Sequence, residues 1–400
     1  MRRTEHTEAR NAFMSKVMEL PVLDTHTHLI GDSLAARDFW QIAHYFWLLR
    51  ELQAGGYPAD AEKLPLDERI EAFVAAYDET RTTLMNIAFT RIMSELYGVA
   101  IHDGDSVRRA IAVVEAAQAD AGWAQTVADR MAIRRSVVNY PQHGPFQGMR
   151  EDAVVMPRID GEMGKWLAAV EASEDPGGIY RETVSVIDRL LREYADRGYP
   201  GVMTTLPHYG VSAKERRTVG PGSSRDVVMM EFLHEVCAAA ERHGLLVQLF
   251  LGVERSWCGE ATPVNDPQRI LKLLPLFEVY SCPFELVLAS ELNNLDAVQA
   301  AWNFPNVHIG GMWWFNFRAS TYKDSMQYRL EALPASKCSL VVSDARCIEW
   351  SYGKIWLIKR LAADFLWERL TQGWIDEGTA LRTAEQWLYG SAMKRYHLIR

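Results

Sequence analysis

Eight short runs of this chain carry adjacent apolar residues, rather than apolar residues only at every second position. They fall at 22–26, 135–140, 153–158, 201–206, 245–250, 284–290, 307–314 and 340–344. A strand with one wet face alternates polar and apolar residues. A strand that is apolar throughout has both faces covered, as in a parallel sheet. Parallel neighbours need long crossovers, and the stretches between the runs carry helix punctuation. Ser223 or Ser224 caps a helix over 226–243 that Gly244 ends. The apolar spacing of 180–197 stops at Gly198, and Asn294, Leu295 and Asp296 open another helix before the seventh run. A further helix, ending at about Glu19, precedes the first run. Eight such strands with helical crossovers predict an α/β protein, a distorted (β/α)8 TIM barrel. A doubly wound sheet alternates in the same way, but no Gly-rich dinucleotide turn follows the first run.

One spacing departs from that rhythm. Between the first and second runs lie about a hundred residues, too many for a structureless loop. Helical patterns occur within it at 39–53, 66–77 and 80–96, so residues 34–131 are expected to form a helical insertion over the barrel mouth. Residues 1–400, insertion included, are expected to form a single barrel domain, with no internal repeat.

Composition removes several classes. The chain is 48% hydrophobic and 24% charged, which is globular. With 43 Lys and Arg against 52 Asp and Glu, its net charge of -9 gives no global attraction for nucleic acid or an anionic membrane. No window reaches the roughly 20 apolar residues of a membrane span, and no secretory signal is visible at the N-terminus. Five cysteines, an odd number without a CxxC pair, suggest reduced thiols and a cytoplasmic location.

The first run closes on Asp24-Thr25-His26-Thr27-His28. Alternate residues of an extended chain share a face, so His26 and His28 can address one ion. The eighth run closes on Ser343-Asp344-Ala345-Arg346, and a carboxylate at a barrel-strand end can bind metal or take a proton. Arg346 can pair with Asp344 or bind an anionic substrate. Other polar groups at strand ends are Arg158, His208 with Tyr209 and Gly210, and Asn316 with Arg318. His44 and Tyr45 sit among Phe39, Trp40, Phe46 and Trp47, where packing is the simplest reading.

DTHTHL, the run His44-Tyr45-Phe46-Trp47-Leu48-Leu49-Arg50, the segment Gly311-Met312-Trp313-Trp314-Phe315-Asn316 and Ser343-Asp344-Ala345-Arg346 together resemble the uronate (glucuronate) isomerases of the amidohydrolase superfamily. The segments match in order across nearly the whole chain, and the closing stretch from Tyr389 to Tyr396 is similar too. The resemblance implies aldose–ketose interconversion of a small sugar acid such as glucuronate, and a homo-oligomer. It implies one divalent metal on His26, His28 and Asp344; imidazole suits zinc, manganese, iron or nickel, and zinc is the expected ion. It makes Asp344, Tyr45 and His44 catalytic, and places Arg158, Arg346, Trp313, Trp314 and His208 around the substrate. Departures accompany the match. Phe250 stands where these isomerases carry a histidine at the end of strand five, Asn139-Tyr140-Pro141 replaces an acidic pair, and Pro207-His208-Tyr209 replaces an aspartate–histidine pair. Two other readings stay open: a metal-dependent hydrolase of a lactone or amide, with Asp344 as base, and a catalytically silent binding protein.

Overall fold

The computed structural model describes residues 2–140, 144–205, 210–251, 266–289, 293–312 and 318–398. In chain order the elements are α1 (Arg2–Glu19), β1 (Val22–Thr27), α2 (Phe39–Ala43), α3 (Phe46–Ala54), α4 (Leu66–Glu79), α5 (Leu84–Arg91), α6 (Gly104–Gln118) and α7 (Trp123–Arg130). Next come β2 (Ile133–Val138), β3 (Val154–Val155), α8 (Asp160–Ala172), α9 (Pro176–Asp196), β4 (Gly201–Thr204), α10 (Arg225–His243), β5 (Leu246–Leu251), α11 (Arg269–Val279) and β6 (Phe284–Leu288). The chain continues through α12 (Asn294–Asn303), β7 (Val307–Met312), α13 (Ala319–Ala332), α14 (Ile348–Thr371), α15 (Glu377–Glu385) and α16 (Ser391–Arg395). The strands form two sheets, ordered β1-β2-β3 and β4-β5-β6-β7, and the fold is mixed α/β as expected. The pairings from β4 to β7, and that of β2 with β3, are parallel.

Two compact units emerge. The first comprises Met1–Ser136, Gln142–Ala153 and Ser343–Leu388; the second comprises Val137–Pro141, Val154–Val342 and Tyr389–Arg400. In the first, all six residues of β1 are buried, so even Asp24, Thr25, His26 and Thr27 lie out of water. Helix α14 packs on α1, α5, α7 and α15. Two of its polar residues tie these elements together. Lys359 donates to the carbonyls of Met18, Leu20 and Met131 at 2.8, 2.7 and 2.9 Å, satisfying helix-end acceptors that burial would otherwise orphan. Glu349 accepts from Tyr97 Oη, Trp123 Nε1 and the Ala36 amide at 2.9, 2.9 and 3.0 Å.

Local chemistry accounts for the shifts from the expected boundaries. The pattern at 39–53 is interrupted at His44-Tyr45, where Tyr45 adopts ψ 130. Helix α9 begins at Pro176, four residues before the expected start. Asp175 caps the Gly178 amide at 2.9 Å, and a proline in the first turn has no amide to satisfy. Thr80 Oγ1 bonds back to Ala76 O at 2.8 Å at the end of α4, so the next helix starts only at Leu84. Helix α10 matches the expectation, with Ser224 as cap and Gly244 at φ 67, a left-handed conformation that favours glycine.

The third and eighth runs depart further. The third has only two ladder residues, although Met156 and Arg158 donate to Val138 O and Asn139 O at 2.9 and 3.0 Å. Pro157, which has no amide, interrupts the run. The eighth run is buried but forms no regular strand. Ser339 donates to Ile309 O at 2.9 Å, and the Ser343 amide turns instead to the Asp24 carboxylate at 3.0 Å. In the second unit, Gly310 and Gly311 let β7 sit close to its neighbours. A Cβ on Gly311 would lie 2.7 Å from Leu340 O, and one on Gly310 would lie 2.7 Å from Val287 Cγ2.

The second unit's sheet carries a polar row across β5, β6 and β7, buried at Gln248 and Glu285. Met203 registers with Gln248, Gln248 with Glu285, and Glu285 with His308. Arg395 Nη1 donates to Glu285 Oε1 at 2.5 Å, with both side chains almost wholly buried. Tyr396 Oη donates to Oε2 at 2.5 Å, and Ser339 and Gln248 each add a bond of 3.1 Å.

This row makes stability testable at two of its members. Arg395→Met strands the Glu285 charge and is expected to cost about 3–5 kcal/mol in urea unfolding. A loss below about 1 kcal/mol would mean that Glu285 is protonated or hydrated. For His308, burial and then the Arg395 charge lower the pKa from 6.5 to about 3. Between those values the unfolded chain binds more protons than the folded one. Stability therefore drops on the order of 1.4 kcal/mol per pH unit as pH falls below about 6.5. His308→Gln should flatten that acid limb, measured as unfolding free energy at several pH values; an unchanged slope would exclude His308 as its source.

Candidate metal centre

His26 lies near the end of β1 and His28 just beyond it, two residues apart on an extended backbone, so their side chains emerge on the same side. Asp344 reaches them through the backbone. Its amide donates to His26 O at 2.9 Å, and the His28 amide donates to Ala345 O at 2.8 Å. Asp344 itself has φ 54, in the left-handed region that favours glycine and that aspartate enters more readily than most residues with a Cβ.

That turn brings Asp344 Oδ1 to 3.3 Å from His26 Nε2 and 3.0 Å from His28 Nε2. One donor atom from each of the three residues lies within 4.8 Å of the others. Around a tetrahedral divalent ion, bonds of about 2.0–2.2 Å place donors about 3.3–3.6 Å apart, close to the separations of Asp344 Oδ1 from the two imidazoles. Two imidazoles and a carboxylate also leave coordination positions for water or substrate. Burial alone would raise the Asp344 carboxyl, but hydrogen bonds from His26 and His28 outweigh it and hold the group well below the carboxylate range.

Behind the triad lies a buried layer of charge. Asp24 accepts the Ser343 amide, and burial, opposed by that bond, raises its carboxyl to about 6. Lys354 Nζ donates to Ser343 O at 2.5 Å and to Tyr45 Oη at 2.6 Å. Burial lowers the Lys354 pKa to about 8, with Asp344 and Asp24 pulling the other way. Tyr45 Oη donates to Asp344 O at 2.9 Å, and its ring stacks on Trp350 at 4.4 Å. Burial, followed by the Asp344 charge, pushes the Tyr45 phenol well above its ordinary value. The Tyr45 hydroxyl, expected to assist at a substrate, is therefore engaged with the backbone of the metal-site carboxylate.

His44 turns the other way. It bonds Tyr57 Oη at 2.8 Å, faces Glu62 at 3.7 Å and packs on Trp40 at 5.1 Å. Burial lowers its pKa against the pull of Glu62, favouring neutral imidazole. With Tyr45, Arg37, Arg69, Glu62 and Arg346 it lines a cavity of about 600 Å³. Arg346 is exposed there. Arg158 belongs to the second unit, where it pairs with Asp160 at 2.6 Å and donates to Thr205 Oγ1 at 2.5 Å. Phe250 is a buried core residue of β5. His208, Trp313 and Trp314 lie outside the described residues. Lys354 belongs to none of the sequence motifs. Its one signal is a lysine four residues from each of the buried Trp350 and Ile358, since one helical face then carries a cation in the core.

No family model matches the chain, and no curated protein matches it by sequence. Solved structures do match. A glucuronate isomerase from Caulobacter crescentus superposes with a TM-score of 0.80 at 15% identity, covering 99% of this chain and 95% of that one. A uronate isomerase from Thermotoga maritima gives 0.78 at 14% identity, covering 97% of each. A Lactobacillus casei protein assigned as a metal-dependent hydrolase gives 0.61 at 13%, covering 96% of this chain and 98% of that one. The chain thus has the fold of the uronate isomerases.

The triad predicts metal content directly. Wild-type protein loaded with zinc and dialysed should retain about one ion per chain, and a His26→Ala/His28→Ala variant almost none. Equal content by elemental analysis would remove the centre.

Proposed function

We propose that this chain is a divergent member of the uronate isomerase family, a metal-dependent enzyme that interconverts the aldose and ketose forms of a sugar acid, with zinc as its ion. The observation that carries the reading is the His26–His28–Asp344 triad, with Arg346 two residues beyond the shared carboxylate. An ion bound there supplies Lewis-acid polarisation of a carbonyl. The chain's own residues provide the rest. Arg346 opens on a cavity whose lining also holds Arg37 and Arg69 against Asp38 and Glu62, with Arg37 paired to Asp38 at 3.0 Å, and a guanidinium such as Arg346 binds carboxylate bidentately. Holding that end of the substrate fixes the reacting carbons in place. His44, neutral by burial, lies on the same cavity wall, where it would have to exchange its Tyr57 hydrogen bond for a substrate hydroxyl to take a proton. Isomerisation removes the proton from the hydroxyl-bearing carbon next to the carbonyl, passes through an enediol, and returns a proton to the former carbonyl carbon. No bond between heavy atoms is broken.

A hydrolase is the second reading, supported by the likeness to the Lactobacillus casei protein and by a triad equally suited to activating water. Isotopes separate the two. In heavy water, the isomerase should place deuterium on carbon next to the carbonyl of glucuronate or a related uronate. A hydrolase should instead place solvent oxygen in a newly formed carboxylate and leave carbon unlabelled. Arg346→Met is expected to lower kcat/KM for anionic substrates by about 10–100-fold, the value of a charge-assisted contact. Oxygen incorporation without carbon-bound deuterium, across uronates and their lactones, would replace the isomerase with the hydrolase.

A further inference from the structure

We infer that Lys354 and Tyr45 together are positioning residues for the metal carboxylate, clamping the two successive carbonyls of Ser343 and Asp344 so that the Asp344 side chain faces His26 and His28. The inference rests on the metal reading above and concerns residues that do not themselves touch the ion. Lys354 Nζ holds Ser343 O at 2.5 Å, Tyr45 Oη holds Asp344 O at 2.9 Å, and the two clamp atoms are joined at 2.6 Å. Successive carbonyls of an extended strand point to opposite sides. A single Lys–Tyr pair can grip both here because the chain turns left-handed at Asp344, with φ 54.

The rest of the turn is held in the same manner. The Ser343 amide bonds Asp24, the Asp344 amide bonds His26 O, and the Ala345 amide bonds Ser343 Oγ at 3.1 Å. The amides around the turn are thus anchored to β1 and to Ser343, whereas the carbonyls are anchored by helix α14 and by the break between α2 and α3. Lys354 comes from the first turns of α14, and the Tyr45 ring is fixed by stacking on Trp350 of the same helix. A left-handed aspartate is unfavourable by itself, so releasing the carbonyls lets the turn relax and swings the carboxylate off the imidazoles. Partners that orient a metal ligand in this way typically control affinity by about 10–100-fold.

The test uses the full-length chain with Co2+ as probe. Affinity is read by competition with a chromophoric chelator, and ligand geometry by the visible Co2+ bands. Tyr45→Phe keeps the ring and its stacking but loses two buried hydrogen bonds, so it should fold with a lowered metal-free melting temperature. Its Co2+ affinity should drop about tenfold, with shifted bands. Lys354→Met, which loses both clamp bonds, should drop further. If it fails to fold, Tyr45→Phe alone decides. Wild-type affinity and bands in Tyr45→Phe would overturn the clamp while leaving the metal centre standing. Failure of the wild-type chain to bind Co2+ would overturn the centre and, with it, the clamp.

Discussion

Everything at the candidate centre depends on two backbone hydrogen bonds between distant parts of the chain. The Asp344 amide reaches His26 O and the His28 amide reaches Ala345 O, at 2.9 and 2.8 Å. They lock the last residues of β1 to the segment carrying the carboxylate, in a register that matches the reach of an imidazole. Side chains alone could not set that register, because a hydrogen bond of about 3 Å from a flexible rotamer tolerates more displacement than a metal does. Backbone ladder bonds leave almost none. The left-handed turn at Asp344 adds the last adjustment, in a region of the backbone map that favours glycine.

Both units place charge where apolar residues would fold more cheaply. In the first, Asp24, Lys354 and Asp344 are buried close together. In the second, Glu285 and Arg395 are buried with Tyr396, Gln248 and Ser339 as further partners. A buried ion pair rarely adds net stability over a hydrophobic replacement, and its value lies in the geometry it enforces. In the first unit that geometry serves the triad. In the second it fixes the closing helix against β6, because Arg395 and Tyr396 bind the two oxygens of one carboxylate.

Much of this architecture is legible in the amino-acid sequence. Runs of adjacent apolar residues betray strands buried on both faces, and Ser224 with Gly244 marks the ends of one helix. The histidines at 26 and 28 declare a shared direction through the period of two that any extended chain obeys. Sequence patterns say least where hydrogen bonds go to side chains instead of neighbouring strands. At Ser343 the amide turns to Asp24, so an apolar run that looks like a strand forms no ladder. At 39–53 the helical periodicity continues across His44-Tyr45 although the backbone does not, because the two side chains of that dipeptide answer to different partners: Tyr45 to Lys354 and Asp344, His44 to Tyr57.

The sequence by itself therefore determined where seven strands run, the caps of α10, the pairing of His26 with His28 and the acidic residue at 344, because these follow from local periodicity and from the chemistry of single residues. Only the tertiary structure decided that Asp344 meets both imidazoles, that the Tyr45 hydroxyl lies beneath the carboxylate, and that a lysine within α14 supports the turn. Those arrangements join residues about 300 positions apart, through hydrogen bonds such as that of His28 with Asp344. Sequence periodicity reports which face of an element is buried, and carries no information about which distant element covers it.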